Sequence, residues 1–367
     1  MAKNFYLDIH VLQTVPPNCI NRDDTGSPKT AVYGGTMRAR VSSQAWKRAM
    51  RTEFKSLFSE DKLGYRTRNA GKVVSGKIQE RNPEIGEQDA DKWAAEILKL
   101  IGVKADTGKN DVLFFISSGQ ICALADLAIK YAAAVEGKGE KKAGDEFKGL
   151  AKEAVNQNPS VDILLFGRMA ASDPSLNFDA AAQVAHSIST HTVSTEFDYF
   201  TAMDDCGDED NAGAAYIDTT EFNSSTLYRY ATVNIRELAE NLTGEELGQA
   251  ARGFTEAFIR SMPTGKQNSF ANRTLPELVY VTARDDQPVN LAGAFERPVP
   301  ASKDGYAEKS EKVLFAYANT IYENYTSEPI RSWIIGKEQN YPGEKVNLRQ
   351  LLEKVEKVAE SYKSLGE

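Results

Sequence analysis

Residues 5–14 alternate. Phe5, Leu7, Ile9 and Val11 point one way, and Tyr6, Asp8, His10 and Leu12 the other, which predicts a half-buried strand. Pro16-Pro17 ends it, and a polar loop from Asn18 to Pro28 follows. Gly34-Gly35 marks a tight turn before a short basic strand, Met37 to Val41. From about Ser42 to Ser56 the period becomes helical. Trp46, Ala49, Met50, Phe54 and Leu57 fall on one stripe, with Gln44, Lys47, Arg48, Arg51 and Lys55 opposite. Residues 60–156 read mostly as helix, at 88–101, 119–136 and 144–156. A short strand at Val112–Ile116 and an exposed loop over Gly137–Gly144 interrupt them. Strand-like text returns at 161–169, 184–193 and 225–235. Thr243 and Glu246 make a capping box, opening a helix whose apolar stripe is Leu247, Phe254, Phe258 and Met262. Strands are expected at 277–283 and 291–296, and helices near 306–325 and 347–364.

Strands and helices are mixed, with large insertions between strands. The pattern predicts an α+β sheet domain with a helical insert and a projecting loop. A length of 367 residues fits two units, at about 150 residues each. Hydrophobic residues at 41% and charged residues at 26% exclude a disordered chain. No apolar run approaches the roughly 18 residues of a membrane span. The N-terminus lacks a signal-peptide layout. Cys19, Cys122 and Cys206 form no CxxC pair, so neither a disulfide framework nor a zinc ribbon is expected. The expectation is a soluble cytoplasmic protein.

Charge changes the picture. A net charge of -8 argues against a general nucleic-acid binder, yet six basic residues and no acidic one lie between Thr25 and Arg51. They are Lys29, Arg38, Arg40, Lys47, Arg48 and Arg51. Cations on one face neutralise phosphates and release counterions. Ser42, Ser43 and Gln44 add neutral donors at a helix start, which itself favours an anion. The competing reading is a solvated amphipathic helix. The segment 194–222 is the reverse, with nine acidic residues and no basic one. It carries Phe197, Tyr199, Phe200 and Met203, which suit stacking on bases if exposed and core packing if not. Gly167-Arg168-Met169 follows an apolar run and is either a ligand contact or a plain strand end.

Sharper motifs fail. Walker A needs glycine at Arg260 and Ser or Thr at Gln267, so Pro263–Gln267 remains only a basic glycine loop around Lys266. The EF-hand hint at Asp208–Gly213 has Ala212 and Thr219 where ligands belong. Alternation sends His186 and His191 to opposite faces, which argues against a shared metal. Asp23 and Asp24 read either as a metal or base position or, more simply, as turn-capping carboxylates.

The blocks LDIHVLQ, NCINRDD and YGGTMRARVSSQAWKRAMR resemble the N-terminus of the CasC-type backbone subunit of the type I-E CRISPR Cascade complex. The resemblance continues in VDILLFGRMA, AHSISTHTVSTEFDYFTAMDD, STLYRYATVNI and PTGKQNSFA. It implies an RRM-like (ferredoxin-like) palm over 1–58, 157–193 and 223–367, a helical fingers insert over 59–156 and a thumb over 194–222. It implies a non-catalytic scaffold that lines up with neighbouring copies along a CRISPR RNA, beside other Cascade subunits. The guide is kinked at intervals and left open to pair with target DNA. Neither cofactor nor metal is implied. Arg22, Lys29, Ser42, Gln44, Lys47 and Arg51 match the phosphate-contacting segment, and Lys266 the glycine loop. Arg168 and Met169 match the finger that meets the kink, and Tyr199, Phe200, Thr201 and Met203 the thumb tip. The acidic thumb is expected to aid assembly through Asp204, Asp205 and Asp208. The alternative is a metal-dependent RNA endonuclease, as in the backbone subunits of type III complexes, using Asp23 or Asp24.

Overall fold

The computed structural model describes residues 4–104, 113–170, 173–202, 216–337 and 341–364. The chain opens with β1 (Tyr6–Asn18), β2 (Thr30–Tyr33), β3 (Thr36–Val41) and α1 (Ser43–Leu57). Then come β4 (Gly64–Thr67), α2 (Ala70–Arg81), α3 (Glu87–Leu100), β5 (Phe114–Ser117), α4 (Ser118–Lys138), α5 (Glu140–Asn156) and α6 (Val161–Phe166). Short strands β6 (Ala182–Val184) and β7 (Ser187–Ser189) lead to β8 (Glu196–Ala202) and the long β9 (Tyr216–Asn234). The remainder is α7 (Ile235–Ala239), α8 (Gly244–Arg260), α9 (Gln267–Phe270), β10 (Leu278–Arg284), α10 (Ala307–Asn324), β11 (Arg331–Ile335), β12 (Glu344–Lys345) and α11 (Leu348–Ser364). The mixed α+β class read from the pattern is the one observed. Two compact units result, residues 1–53 with 183–367, and residues 54–182. The second is wider than the 59–156 insert expected. Among the described residues no helix is long and apolar enough to cross a membrane.

In the first unit the sheet runs β12-β11-β10-β1-β9-β7-β3-β2. Its centre is β1, antiparallel to both β10 and β9, with His10 opposite Tyr280 and Tyr230. The strand is therefore buried on both faces, not one: Leu7, Ile9 and Val11 are covered, and so are Asp8, His10 and Leu12. Alternation alone does not separate a two-sided strand from a one-sided one when its second face carries Asp and His. On that face Leu12, Tyr228, Tyr230 and Tyr280 pack against Leu314, Phe315 and Tyr322 of α10. Asp8 is satisfied there by the Tyr230 hydroxyl at 2.9 Å and the Val289 amide at 2.8 Å. On the other face the Arg229 guanidinium lies 3.8 Å from the Trp46 ring centre and 4.7 Å from that of Phe258. Residues 291–295 form a 3-10 turn instead of a strand, because Asn290 Oδ1 caps the Ala292 amide at 2.9 Å. The capping box that opens α8 is present, with both Thr243–Glu246 bonds made.

In the second unit the antiparallel pair β4–β5 and helices α2–α5 surround a core that includes Val74, Ile78, Ile97, Leu124, Tyr131 and Phe147. Residues 161–166, expected as strand, are a helix, with Gly167 N donating to Ile163 O at 2.8 Å. A six-residue apolar run carries no period that distinguishes the two. The loop expected over Gly137–Gly144 shrinks to Gly139, at φ +80° between α4 and α5. The Lys, Glu and Ala around it are good helix formers, so only the left-handed residue breaks the run.

Candidate nucleic-acid interface

The loop after β1 is tied to the start of α1. Asn18 Nδ2 donates to Asn223 O at 3.0 Å and fixes the end of β1. Asn21 Oδ1 accepts from the Ser42 amide at 2.8 Å, and Asn21 O from the Lys29 amide at 2.8 Å. Arg22 forms an isolated bridge with Pro28 and is exposed. Asp23 Oδ1 accepts from Thr25 Oγ1 at 2.7 Å, Thr25 N at 2.9 Å and Ser27 N at 3.0 Å. The Thr25 hydroxyl bond, with the amide bonds behind it, holds this carboxyl below its ordinary range. Asp23 thus caps its own turn, the simpler of the two readings.

Helix α1 is anchored by its apolar stripe. Trp46, Met50 and Phe54 are fully buried, and Trp46 Nε1 donates to Ser187 Oγ at 3.0 Å. Ser42 sits at the helix entry, its Oγ accepting from Ala45 N at 3.4 Å and its carbonyl from Trp46 N at 3.2 Å. Ser42 is itself buried, so its hydroxyl serves the helix start. Gln44 and Arg48 are exposed, while Lys47 and Arg51 are half-buried beside the stripe. Burial pulls the Lys47 ammonium below its ordinary value, so this cation is partly desolvated. Not all six cations of the segment serve this face. Arg38 is fully buried, donating to Ser189 O and Phe295 O at 2.9 Å each, and braces the sheet.

Lys266 joins the loop from far along the chain. It adopts φ +50°, and at Gly265 a Cβ would stand 2.6 Å from Ile20 O and 2.7 Å from Cys19 O. Only glycine lets this turn lie on the Cys19–Ile20 backbone. Burial raises the Cys19 thiol, Arg22 and Lys266 pull it down, and Glu221 and Asp23 push it up. Arg22 and Lys266, together with Asp23 and Glu221, therefore act on one buried sulfur. Phe270, four residues on, meets Phe222 at the root of β9 with ring centres 5.7 Å apart.

Strands β8 and β9 form an antiparallel ribbon with two unlike faces. Phe197, Tyr199 and Thr201 share a face with Glu221, Thr219 and Ile217, and Glu196, Asp198 and Phe200 share the other with Phe222, Thr220 and Asp218. The first face is open and carries one carboxylate, Glu221, with Phe197 67% and Tyr199 63% exposed. The second carries three, Glu196, Asp198 and Asp218. Phe200 is thus separated from Tyr199 and Thr201 by the ribbon's alternation. Met203, with Asp204, Asp205, Cys206, Asp208 and the EF-hand hint, lies outside the described residues.

Arg168 corrects the sequence reading. It is 4% exposed and bound inside the second unit. Its Nε donates to Leu176 O at 2.8 Å, Nη1 to Gln120 Oε1 at 3.1 Å and Nη2 to Val155 O at 3.2 Å. Burial brings the guanidinium down to about 10. Its guanidinium is spent on oxygens of Leu176, Gln120 and Val155, and it offers no donor to a strand of nucleic acid. Met169 beside it is 83% exposed.

One pair was not legible in the sequence. Arg40 Nη1 donates to His186 Nδ1 at 3.2 Å. The two stand 146 positions apart, and no spacing or motif links them. His191 instead lies buried and stacked on Tyr306, ring centres 3.6 Å apart. Among the described residues no group of three or more His, Cys, Asp or Glu is placed to hold a metal ion.

No curated protein matches. One solved structure, described as "CRISPR RNA-guided surveillance complex, pre-nicking", contains a chain 32% identical. The match covers 96% of this chain and 100% of that one, at a TM-score of 0.82. Another, described as "CRISPR RNA-guided surveillance complex", is 28% identical over 95% and 99% of the two chains, at a TM-score of 0.71. The family described as CT1975-like protein matches residues 7–360. A match over nearly the whole chain places it: this chain belongs to the CT1975-like protein family.

Proposed function

We propose that this chain is a CRISPR RNA-binding subunit of a Cascade-type surveillance complex. In the finer reading it is the CasC-type backbone subunit of a type I-E complex and forms its scaffold. Copies line up along the guide, contact other Cascade subunits and leave the guide's bases free for target DNA. The sheet unit serves as an RRM-like palm, the helical unit as fingers and the β8–β9 ribbon as thumb. One observation carries the reading: Arg22, Lys29, the α1 face and Lys266 gather around the loop after β1, in a chain whose net charge is -8.

The proposed phosphate contacts are Arg22, Lys29, Gln44, Lys47, Arg51 and Lys266, with Ser42 shaping the helix start. Met169 replaces Arg168 as the contact of the fingers. Tyr199 and Thr201 lie on the base-stacking face of the thumb, and Phe200 on its acidic face. This division follows from charge, since carboxylates repel the phosphates of the strand. Such a grip holds backbone and shape and reads no sequence, as a variable guide requires. The subunit is not an enzyme in this reading, and the commitment of Asp23 Oδ1 to its turn counts against cutting by that loop.

Binding to several unrelated single-stranded RNAs of equal length tests the proposal. Similar affinities with a steep salt dependence are expected. A strong preference for one sequence would contradict it, as would metal-dependent cleavage abolished by Asp23→Ala.

A further inference from the structure

Lys29, Arg40 and His186 reach one edge of the sheet unit from three places in the chain. Arg40 N donates to Lys29 O at 2.9 Å, which sets the two cations side by side. Arg40 Nε donates to Thr30 O at 3.1 Å, and its Nη1 to His186 Nδ1 at 3.2 Å. Arginine only donates, so Nδ1 accepts and His186 carries its proton on Nε2. Arg40 on β3 and Lys29 on the loop are the charged groups that act on this imidazole. Burial first, and then these two charges, hold it below its ordinary value. None of the three is in an ion pair with a carboxylate among the described residues. Lys29 and Arg40 also line a small niche with Asn21, Pro28, Val41 and Ser225, and His186 stands outside it.

Such a group is incomplete by its own chemistry. Two cations stand together without a carboxylate partner among the described residues, and the acceptor on His186 is spent on Arg40. An anion resolves all of it at once. Its oxygens take the Arg40 and Lys29 donors, and they favour the imidazolium, which then donates through both nitrogens.

We propose that Lys29, Arg40 and His186 form a phosphate subsite that takes one phosphodiester of a bound single strand, with His186 gaining a proton as the phosphate arrives. The identity of that strand as a guide RNA rests on the proposed function; the anion chemistry does not. The direction of the pH effect follows. Without the anion His186 is neutral at neutral pH, so binding takes up a proton and tightens as pH falls. The limit for one linked proton is about tenfold per pH unit.

The test uses the full chain and follows the imidazole C2–H signal of His186 by NMR. The chain has three histidines, so a His186→Asn variant assigns the signal. The probes are a single-stranded oligoribonucleotide and, separately, inorganic phosphate. Saturating RNA is expected to raise the midpoint of His186, with a smaller rise in Arg40→Gln. Wild-type affinity is expected to tighten from about pH 8 to about pH 6, and that of His186→Asn to change less. RNA that binds by fluorescence anisotropy while the His186 midpoint stays fixed overturns the subsite. If no RNA binds, the guide reading fails and phosphate decides: an upward shift keeps the anion subsite, and no shift removes it.

Discussion

At the residue scale, the division between phosphate and base contacts has a measurable signature. Lys47→Ala or Arg51→Ala is expected to lower the slope of log affinity against log salt by about 0.7 each, the share of one phosphate on a single strand. Tyr199→Ala is expected to leave the slope alone and cost roughly 1–3 kcal/mol of stacking. Equal slopes for all three variants would contradict the assignment. His10 shows how burial couples stability to pH. Burial first, and Arg284 second, lower its value to about 3 from an ordinary 6.5. Between those values the unfolded chain holds the extra proton, so His10 withdraws stability as pH falls through that window. Asp8 acts oppositely, since burial raises it from 3.8 to about 6 and its cost fades as pH falls through that value. The stability of wild type relative to His10→Phe should therefore fall from about pH 7 to about pH 5 in urea unfolding. A constant gap would show that His10 is not held neutral by the fold.

At the element scale, helix α1 was legible because charge and apolarity segregate at a 3.6-residue period, and α8 because Thr243 and Glu246 spell its cap. The two-sided burial of β1 was not, because Asp8 and His10 are polar side chains made buriable by Tyr230, Val289 and Tyr228 from distant strands and loops. Arg168 misled for the same reason: its carbonyl partners at Val155 and Leu176 carry no sequence signal. Arg168→Met is expected to cost roughly 3 kcal/mol, because it strips a buried cation from carbonyls that cannot reach water. Met169→Ala is expected to stay within about 0.5 kcal/mol, as befits an exposed side chain. Thermal unfolding of the two variants checks both. Gly265→Ala acts elsewhere. Its methyl group meets the backbone of Cys19 and Ile20, so the Lys266 turn must lift away. Weaker RNA binding at nearly unchanged secondary structure is expected by anisotropy and circular dichroism. Unchanged affinity would remove Lys266 from the interface.

At the scale of the whole molecule, residues 7–360 fall in one family, and two solved chains match nearly end to end. The α+β class and the basic loop–helix segment were visible in the sequence. Lys266 was marked only through the resemblance, and the approach of His186 was not visible, because the Gly265 turn and the β3–β7 pairing bring those parts of the chain to this segment. The ribbon's two faces were half visible: alternation gives them, but the β8–β9 register is needed to show Ile217 and Glu221 beside the aromatics. The central claim is that this chain holds a guide RNA. Its most direct test is to co-express the chain with its neighbouring genes, purify it and sequence the RNA that accompanies it. The account expects short RNAs of uniform length that share a repeat-derived end, with several copies of the chain per RNA. Heterogeneous RNA, or none, would contradict it.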